Sequence, residues 1–125
     1  MQFRIARHTS GFEQILKFYI EILGLELLGK FENHNDYDGI FIGRTGMDWH
    51  LEFTRSNEEA VHIFDEDDLL VFYPSTRNEY EEIISRFQQH GLTDIPPKNP
   101  YWAENGTTYK DPDGHLIVIS PIKIS

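Results

Sequence analysis

The chain of 125 residues is predicted to be an α+β protein built from two βαβββ modules. Three observations predict it. Each half begins with a β-rich stretch followed by an amphipathic helical stretch. Each helical stretch opens on a Ser/Thr-x-x-Glu box and closes on a glycine followed by leucine. The two sets of signals keep an almost constant offset: Glu13 and Glu79 are 66 residues apart, and Gly24 and Gly91 are 67 apart. Self-similarity at a fixed period is the mark of a duplicated unit.

The elements follow in order. Phe3 to His8 alternates as a strand, with Phe3, Ile5 and Arg7 on one face and Arg4, Ala6 and His8 on the other. Ser10 with Glu13 predicts a capping box. Phe12, Ile15, Leu16, Tyr19, Ile20 and Leu23 then recur at helical spacing up to the Gly24 cap. Strands are expected at 26–32, 39–43 and 48–54, separated by a polar loop over 33–38 and a turn around Thr45-Gly46. Residues 55–68 form an acidic linker, which divides module one (1–54) from module two (69–125) within a single domain.

Module two repeats the order. A strand is expected at 69–73 and a second capping box at Thr76 and Glu79. A stripe of Tyr80, Ile83, Ile84 and Phe87 leads to the Gly91 cap. A short strand is expected near 92–95. A final hairpin over 106–110 and 115–120 turns through Asp111-Pro112-Asp113-Gly114.

Composition narrows the function. Eleven basic against 21 acidic residues give a net charge of −10, which repels nucleic acid phosphates and anionic membrane surfaces. There is no cysteine, so disulfides, thiolate metal sites and a cysteine nucleophile are excluded. No apolar run approaches the roughly 20 residues of a membrane span, and the N-terminus has no apolar signal core. A cytoplasmic protein is expected. There is no Gly-rich phosphate loop and no nucleophile elbow. Seventeen aromatic residues (nine Phe, six Tyr, two Trp) suit half-buried strands and the walls of a ligand pocket.

Two segments carry a family resemblance. Leu16 to Glu26 reads LKFYIEILGLE, an aromatic pair ahead of a Leu-Gly-Leu ending, and Asp111 to Ser120 reads DPDGHLIVIS. Together with the duplication they resemble the vicinal-oxygen-chelate superfamily of glyoxalase, bleomycin-resistance protein and extradiol dioxygenase. The resemblance covers nearly the whole chain. It implies a cup-shaped mixed sheet with the ligand inside. In active members it also implies a divalent metal held by four strand residues, two per module, usually His, Gln or Glu.

Carried over position by position, that ligand set is broken. The first position falls on Arg4, whose guanidinium stays protonated and has no lone pair to give. The second falls on Glu52, which fits. The third falls on Leu70, with Asp68 or Phe72 on the same face, and the fourth on Val118. Even an open catalytic zinc site needs three protein ligands. No cofactor is therefore expected. A divalent metal remains conceivable only on a relocated set of His8, His50 and Glu52, which suits zinc, iron or nickel.

The expected inward face carries Arg4, Ala6, His8, His50, Glu52, Leu70, Phe72, Leu116, Val118 and Ser120. Tyr101 and Trp102 precede the last hairpin and are placed to stack on a planar or cationic ligand. His115 and Trp49 alternate away from that face.

Two functions compete. One is metal-independent binding of a small, cationic or carbonyl-bearing molecule by Arg4, His8, His50, Glu52, Leu70, Phe72, Tyr101, Trp102 and Val118. The resemblance to bleomycin-resistance proteins implies an acidic homodimer of this kind. The other is a metal-dependent lyase, isomerase or dioxygenase, in which Glu52 is the catalytic base. In the metal-free case an Arg4 guanidinium within roughly 4 Å of Glu52 is expected to stand where the family holds its metal.

Overall fold

The computed structural model describes Met1–Ser125, which form two compact units, Met1–Val61 and His62–Ser125.

The first unit contains β1 (Phe3–His8), α1 (Phe12–Leu16), β2 (Glu26–His34), β3 (Tyr37–Gly43) and β4 (Trp49–Arg55). The helix continues beyond Leu16 as a wider π-helical segment, Lys17–Ile22. The sheet order is β1-β4-β3-β2, with β1 parallel to β4 and the other pairs antiparallel.

One face of this sheet is covered by the helix. Tyr19 packs on Phe53 with ring centroids 5.2 Å apart, and its hydroxyl accepts from Arg7 Nη2 at 3.1 Å. Ile15, Tyr19, Leu23, Ile42 and Phe53 are buried there. Each such apolar side chain contributes about 1.5–3 kcal/mol relative to exposure.

The first capping box does not form. The N-cap is Gly11, with no side-chain cap bond, and Ser10 Oγ instead accepts from the Ala60 N–H at 2.9 Å. The helix starts one residue later than the Ser10–Glu13 pattern requires, so Ser10 lies outside it and holds the chain leaving β4. At the other end Gly24 has φ 92°, as a left-handed cap demands. The Leu25 N–H reaches back to Tyr19 O at 2.9 Å. That is one residue further than an α-helical Schellman cap, because the preceding turn is π-widened.

The second unit contains β5 (Leu69–Phe72), α2 (Arg77–Gln89), α3 (Pro100–Asn105), β6 (Thr107–Lys110) and β7 (Leu116–Ile119). Its sheet order is β5-β7-β6, with β5 parallel and β6 antiparallel to β7. Here the capping signals are realised. Thr76 Oγ1 accepts from the Glu79 N–H at 3.1 Å, and Glu79 Oε1 accepts from the Ser75 N–H at 3.2 Å. Gly91, at φ 73°, closes a Schellman motif, with Leu92 N–H to Phe87 O and Gly91 N–H to Gln88 O, both 3.0 Å. Phe87 stacks on Tyr109 at 3.8 Å and fixes α2 to one face of the sheet.

The second unit follows the order of the first with one strand fewer. The strand expected near 92–95 is absent, and that edge makes a single bond, Ile95 N–H to Thr108 O at 2.8 Å. Pro96 and Pro97 follow directly and have no N–H with which to extend a ladder. The final turn is tightly made: buried Asp111 accepts from the N–H groups of Asp113 and His115 at 2.9 and 3.0 Å.

Candidate functional site

Strand register decides which side chains meet. In the first unit Arg4 pairs with His50, Ala6 with Glu52 and His8 with Thr54. Across β3, Phe41 pairs with Glu52 and Gly43 with His50. Side chains of directly opposed residues share a face. Arg4, Ala6, His8, Phe41, His50 and Glu52 therefore line the face away from the helix, and none of them is fully buried.

Arg4 is the centre of the group. Its Nε–H donates to His50 Nε2 at 2.9 Å. His50 Nε2 is thus the acceptor of that bond. Arg4 Nη1 lies 3.7 Å from Glu52 Oε1, and the guanidinium sits 4.8 Å over the Phe41 ring. Phe41 in turn meets His50 edge-on at 5.8 Å and Phe31 at 5.9 Å. A fixed cation and a fixed carboxylate thus lie over an aromatic floor. Ala6 stands beside Glu52 in register and Gly43 beside His50, where a Cβ would already meet His50 and Leu28 at 3.1 Å.

His8 belongs to a different cluster on the same face. Its Nδ1 lies 2.9 Å from Thr54 Oγ1, and its Nε2 lies 3.2 Å from Glu58 O and 3.3 Å from Ser56 Oγ. A carbonyl can only accept, so Nε2 donates to Glu58 O, and Nδ1 shares a hydrogen bond with the Thr54 hydroxyl. His8 is thereby tied to the chain leaving β4.

These residues do not fit a divalent metal. No group of three His, Asp or Glu side chains converges anywhere in the protein. In the set His8, His50 and Glu52, His50 offers its Nε2 lone pair to Arg4 and His8 is held by Thr54 and Glu58. A permanent cation already sits beside Glu52.

In the second unit the expected face must be corrected. Leu70 and Phe72 pair with Ile117 and Ile119, on the same face as Tyr109, against which α2 packs through Phe87. They lie under the helix, and Leu69 and Val71 take the opposite face with Leu116 and Val118. The parallel pairing in this unit is one residue longer than in the first, Leu69 with Leu116 against Arg4 with His50. A one-residue shift exchanges the faces of a strand. Val118 is on the expected face but has no exposed surface, so it offers a ligand nothing. Ser120 is also fully buried, its hydroxyl donating to Asn105 O. Tyr101 and Trp102 lie on α3, capped by Asn99, and meet edge-on at 4.9 Å; Tyr101 is half exposed.

Sequence reasoning missed a feature of the linker. Phe64 stacks between His62 at 4.9 Å and His115 at 4.3 Å. It bounds a cleft of about 270 Å³ with Ile95 and Leu116, and Glu66, Lys98 and Lys110 stand around it. The signal was a single Phe within an acidic run.

Solved structures share this architecture. Glyoxalase I of Leishmania major superposes with a TM-score of 0.74 at 20% identity, over 96% of this chain and 85% of that one. TnmS3, an antibiotic binding protein from a Streptomyces species, superposes at 0.67 and 20% identity, over 97% and 94%. The chain shares the fold of these proteins, with mixed sheets of four and three strands. Residues 3–54 match the YycE-like N-terminal domain and residues 67–120 the YycE-like C-terminal domain. The chain belongs to the YycE-like family. It is 41% identical over 118 residues to the uncharacterized protein YycE of Bacillus subtilis strain 168, covering 94% of this chain and 85% of that protein. The crystal structure of YycE, a protein of unknown function, superposes with a TM-score of 0.86 over 95% of this chain and 88% of that one, at 40% identity.

Proposed function

We propose that this protein binds a small carbonyl-bearing or cationic molecule on the helix-free face of its first sheet, without a metal. The observation that carries the reading is the Arg4 guanidinium, held 2.9 Å from His50 and 3.7 Å from Glu52. Arg4 and Glu52 stand at two positions where the resemblance puts metal ligands. The guanidinium supplies the positive charge there as part of the chain, and it cannot be lost or exchanged. Its free N–H groups orient a ligand oxygen, and the Phe41 ring supplies apolar contact. A cation-assisted binding site without redox or Lewis-acid chemistry follows from that substitution.

The working form in this reading is a cytoplasmic homodimer. β1 is an edge strand that leaves Phe3 60% and Ile5 38% exposed, and an open apolar edge favours pairing with a second copy. Sedimentation at micromolar concentration tests it, and monomer alone refutes it.

Native mass spectrometry of protein purified from cells, with and without added zinc, iron and nickel, tests the site. The expected result is an organic adduct or the bare chain, with no stoichiometric metal. One metal per chain, removed by chelator and lost in Glu52→Gln, would overturn the reading and favour the enzyme.

A further inference from the structure

The Glu52 carboxylate is only 13% exposed, yet it accepts no hydrogen bond from the chain. Its nearest cation, Arg4 Nη1, is at 3.7 Å, inside the range of an ion pair but beyond that of a hydrogen bond. Arg4 itself is half exposed at 49% and has committed only its Nε–H, to His50. Side by side on the Phe41 floor there are thus free N–H donors and a free carboxylate acceptor. A shielded carboxylate without donors is a costly group, and one that supplies a donor to it relieves that cost.

We propose that this gap selects a neutral planar group carrying a carbonyl oxygen next to an N–H, the carboxamide or ureide class, on an aromatic or apolar body. The inference rests on the binding reading above and names its ligand class. The carbonyl oxygen accepts from the Arg4 Nη groups, the N–H donates to Glu52, and the body of the ligand lies on Phe41. A carboxylate meets Arg4 equally well but brings its charge against Glu52 and has no donor to offer. An amidinium satisfies Glu52 but sets two cations together at Arg4 and has no acceptor. Arg4 recruits oxygen, and Glu52 decides which oxygen-bearing group stays.

The three cases differ by a single functional group in benzamide, benzoate and benzamidine. Each is titrated into the full chain while the amide resonances of Phe41, Gly43, His50 and Glu52 are followed by NMR. The expected order places benzamide first, with benzoate about tenfold weaker from like-charge contact. Glu52→Gln keeps the shape, removes the charge and can turn an N–H toward the ligand. In that variant benzoate is expected to bind at least as well as benzamide. Benzoate equal to or tighter than benzamide in the wild-type chain overturns the inference and leaves the binding reading standing. Benzamidine as the tightest probe overturns it in favour of a cation subsite. No shift at Phe41, Gly43, His50 or Glu52 from any probe removes both the inference and the binding reading for this face. The wild-type comparison stands whether or not the variant folds.

Discussion

Arg4 and Glu52 stand 3.7 Å apart, on adjacent parallel strands and one residue pair out of step, with Arg4 beside His50 and Glu52 beside Ala6. The diagonal geometry keeps the pair an ion pair without direct hydrogen bonding. Removing the cation leaves Glu52 shielded and uncompensated. Arg4→Ala is expected to lower stability by about 1–2 kcal/mol, part of it lost packing on Phe41. Arg4→Ala with Glu52→Gln should lose less than Arg4→Ala alone, since no bare charge remains. Urea denaturation of the two single variants and the double variant measures it. A double variant as unstable as the summed singles would mean that the two side chains do not interact.

The two helix starts look alike in sequence and differ in structure, and mutation should separate them. Thr76→Ala removes a bond to the Glu79 N–H and is expected to cost about 1 kcal/mol. Ser10→Ala removes only a bond to the Ala60 N–H outside any helix, and should cost less than half as much. Thermal midpoints of the two variants, compared under one condition, check the order.

These cases show what was legible in the sequence. Hydrophobic period and glycine caps are local, and Gly24, Gly91 and the Asp111–Gly114 turn all fell where the residues placed them. The face bearing Arg4, His50 and Glu52 was legible because Leu51 and Phe53 are buried on the other side of β4. Leu70 and Phe72 were misassigned because the duplication offset is not quite constant, and alternation turns a one-residue error into the opposite face. Ser10 was misassigned because a Ser-x-x-Glu pattern does not say whether the helix starts at its first residue. The strand near 92–95 was overcounted despite the prolines that follow it. The stacking of Phe64 between two histidines is non-local, and no period or motif encodes it.

Asp38 should contribute to acid sensitivity. Its carboxylate accepts from the Asn33 N–H at 2.9 Å and from Arg55 Nε at 3.1 Å, and these bonds hold its pKa below the usual 3.8. A depressed folded-state pKa means that the unfolded chain binds the proton first. The stabilisation is present above about pH 4 and is lost as pH falls through the lower folded value. Asp38→Asn should flatten stability against pH below about pH 4 and leave the slope at neutral pH unchanged. An unaltered acid slope would refute the assignment.

Tyr109 should contribute at the alkaline end with the opposite sign. Burial against Phe87, with Asp94 and Tyr80 adding smaller effects, pushes its phenol up to about 12 from 10.0. The unfolded chain therefore loses this proton first as pH rises. The contribution is complete below pH 10.0 and declines toward pH 12. Ultraviolet titration should show a late tyrosine step near pH 12, and Tyr109→Phe should remove it. A step that survives the substitution would belong to another tyrosine.

The most demanding prediction concerns why one substitution does not rebuild a metal site. Glu52 supplies a carboxylate, and the resemblance puts a second acidic ligand at Val118. Val118→Glu would appear from sequence to restore half of the family's set. The structure predicts otherwise. Val118 has no exposed surface, lies between Val71 and Thr108 in the β5-β7-β6 sheet, and packs against Gly106, where even a Cβ would meet its Cγ1. A carboxylate there is desolvated, with no cation among these neighbours, at a cost of several kcal/mol. The position has become core. Val118→Glu is therefore expected to unfold the protein or to raise the new carboxyl's pKa, with no gain in metal affinity. Val118→Gln, which has a similar shape and no charge, should cost clearly less. Arg4→His combined with Val118→Glu should do no better, since the first change removes the fixed cation and the second still buries a charge. Thermal shift with zinc, nickel and manganese reads all three variants. A stable Val118→Glu protein whose midpoint rises with any of these metals would show that the ligand position had remained open.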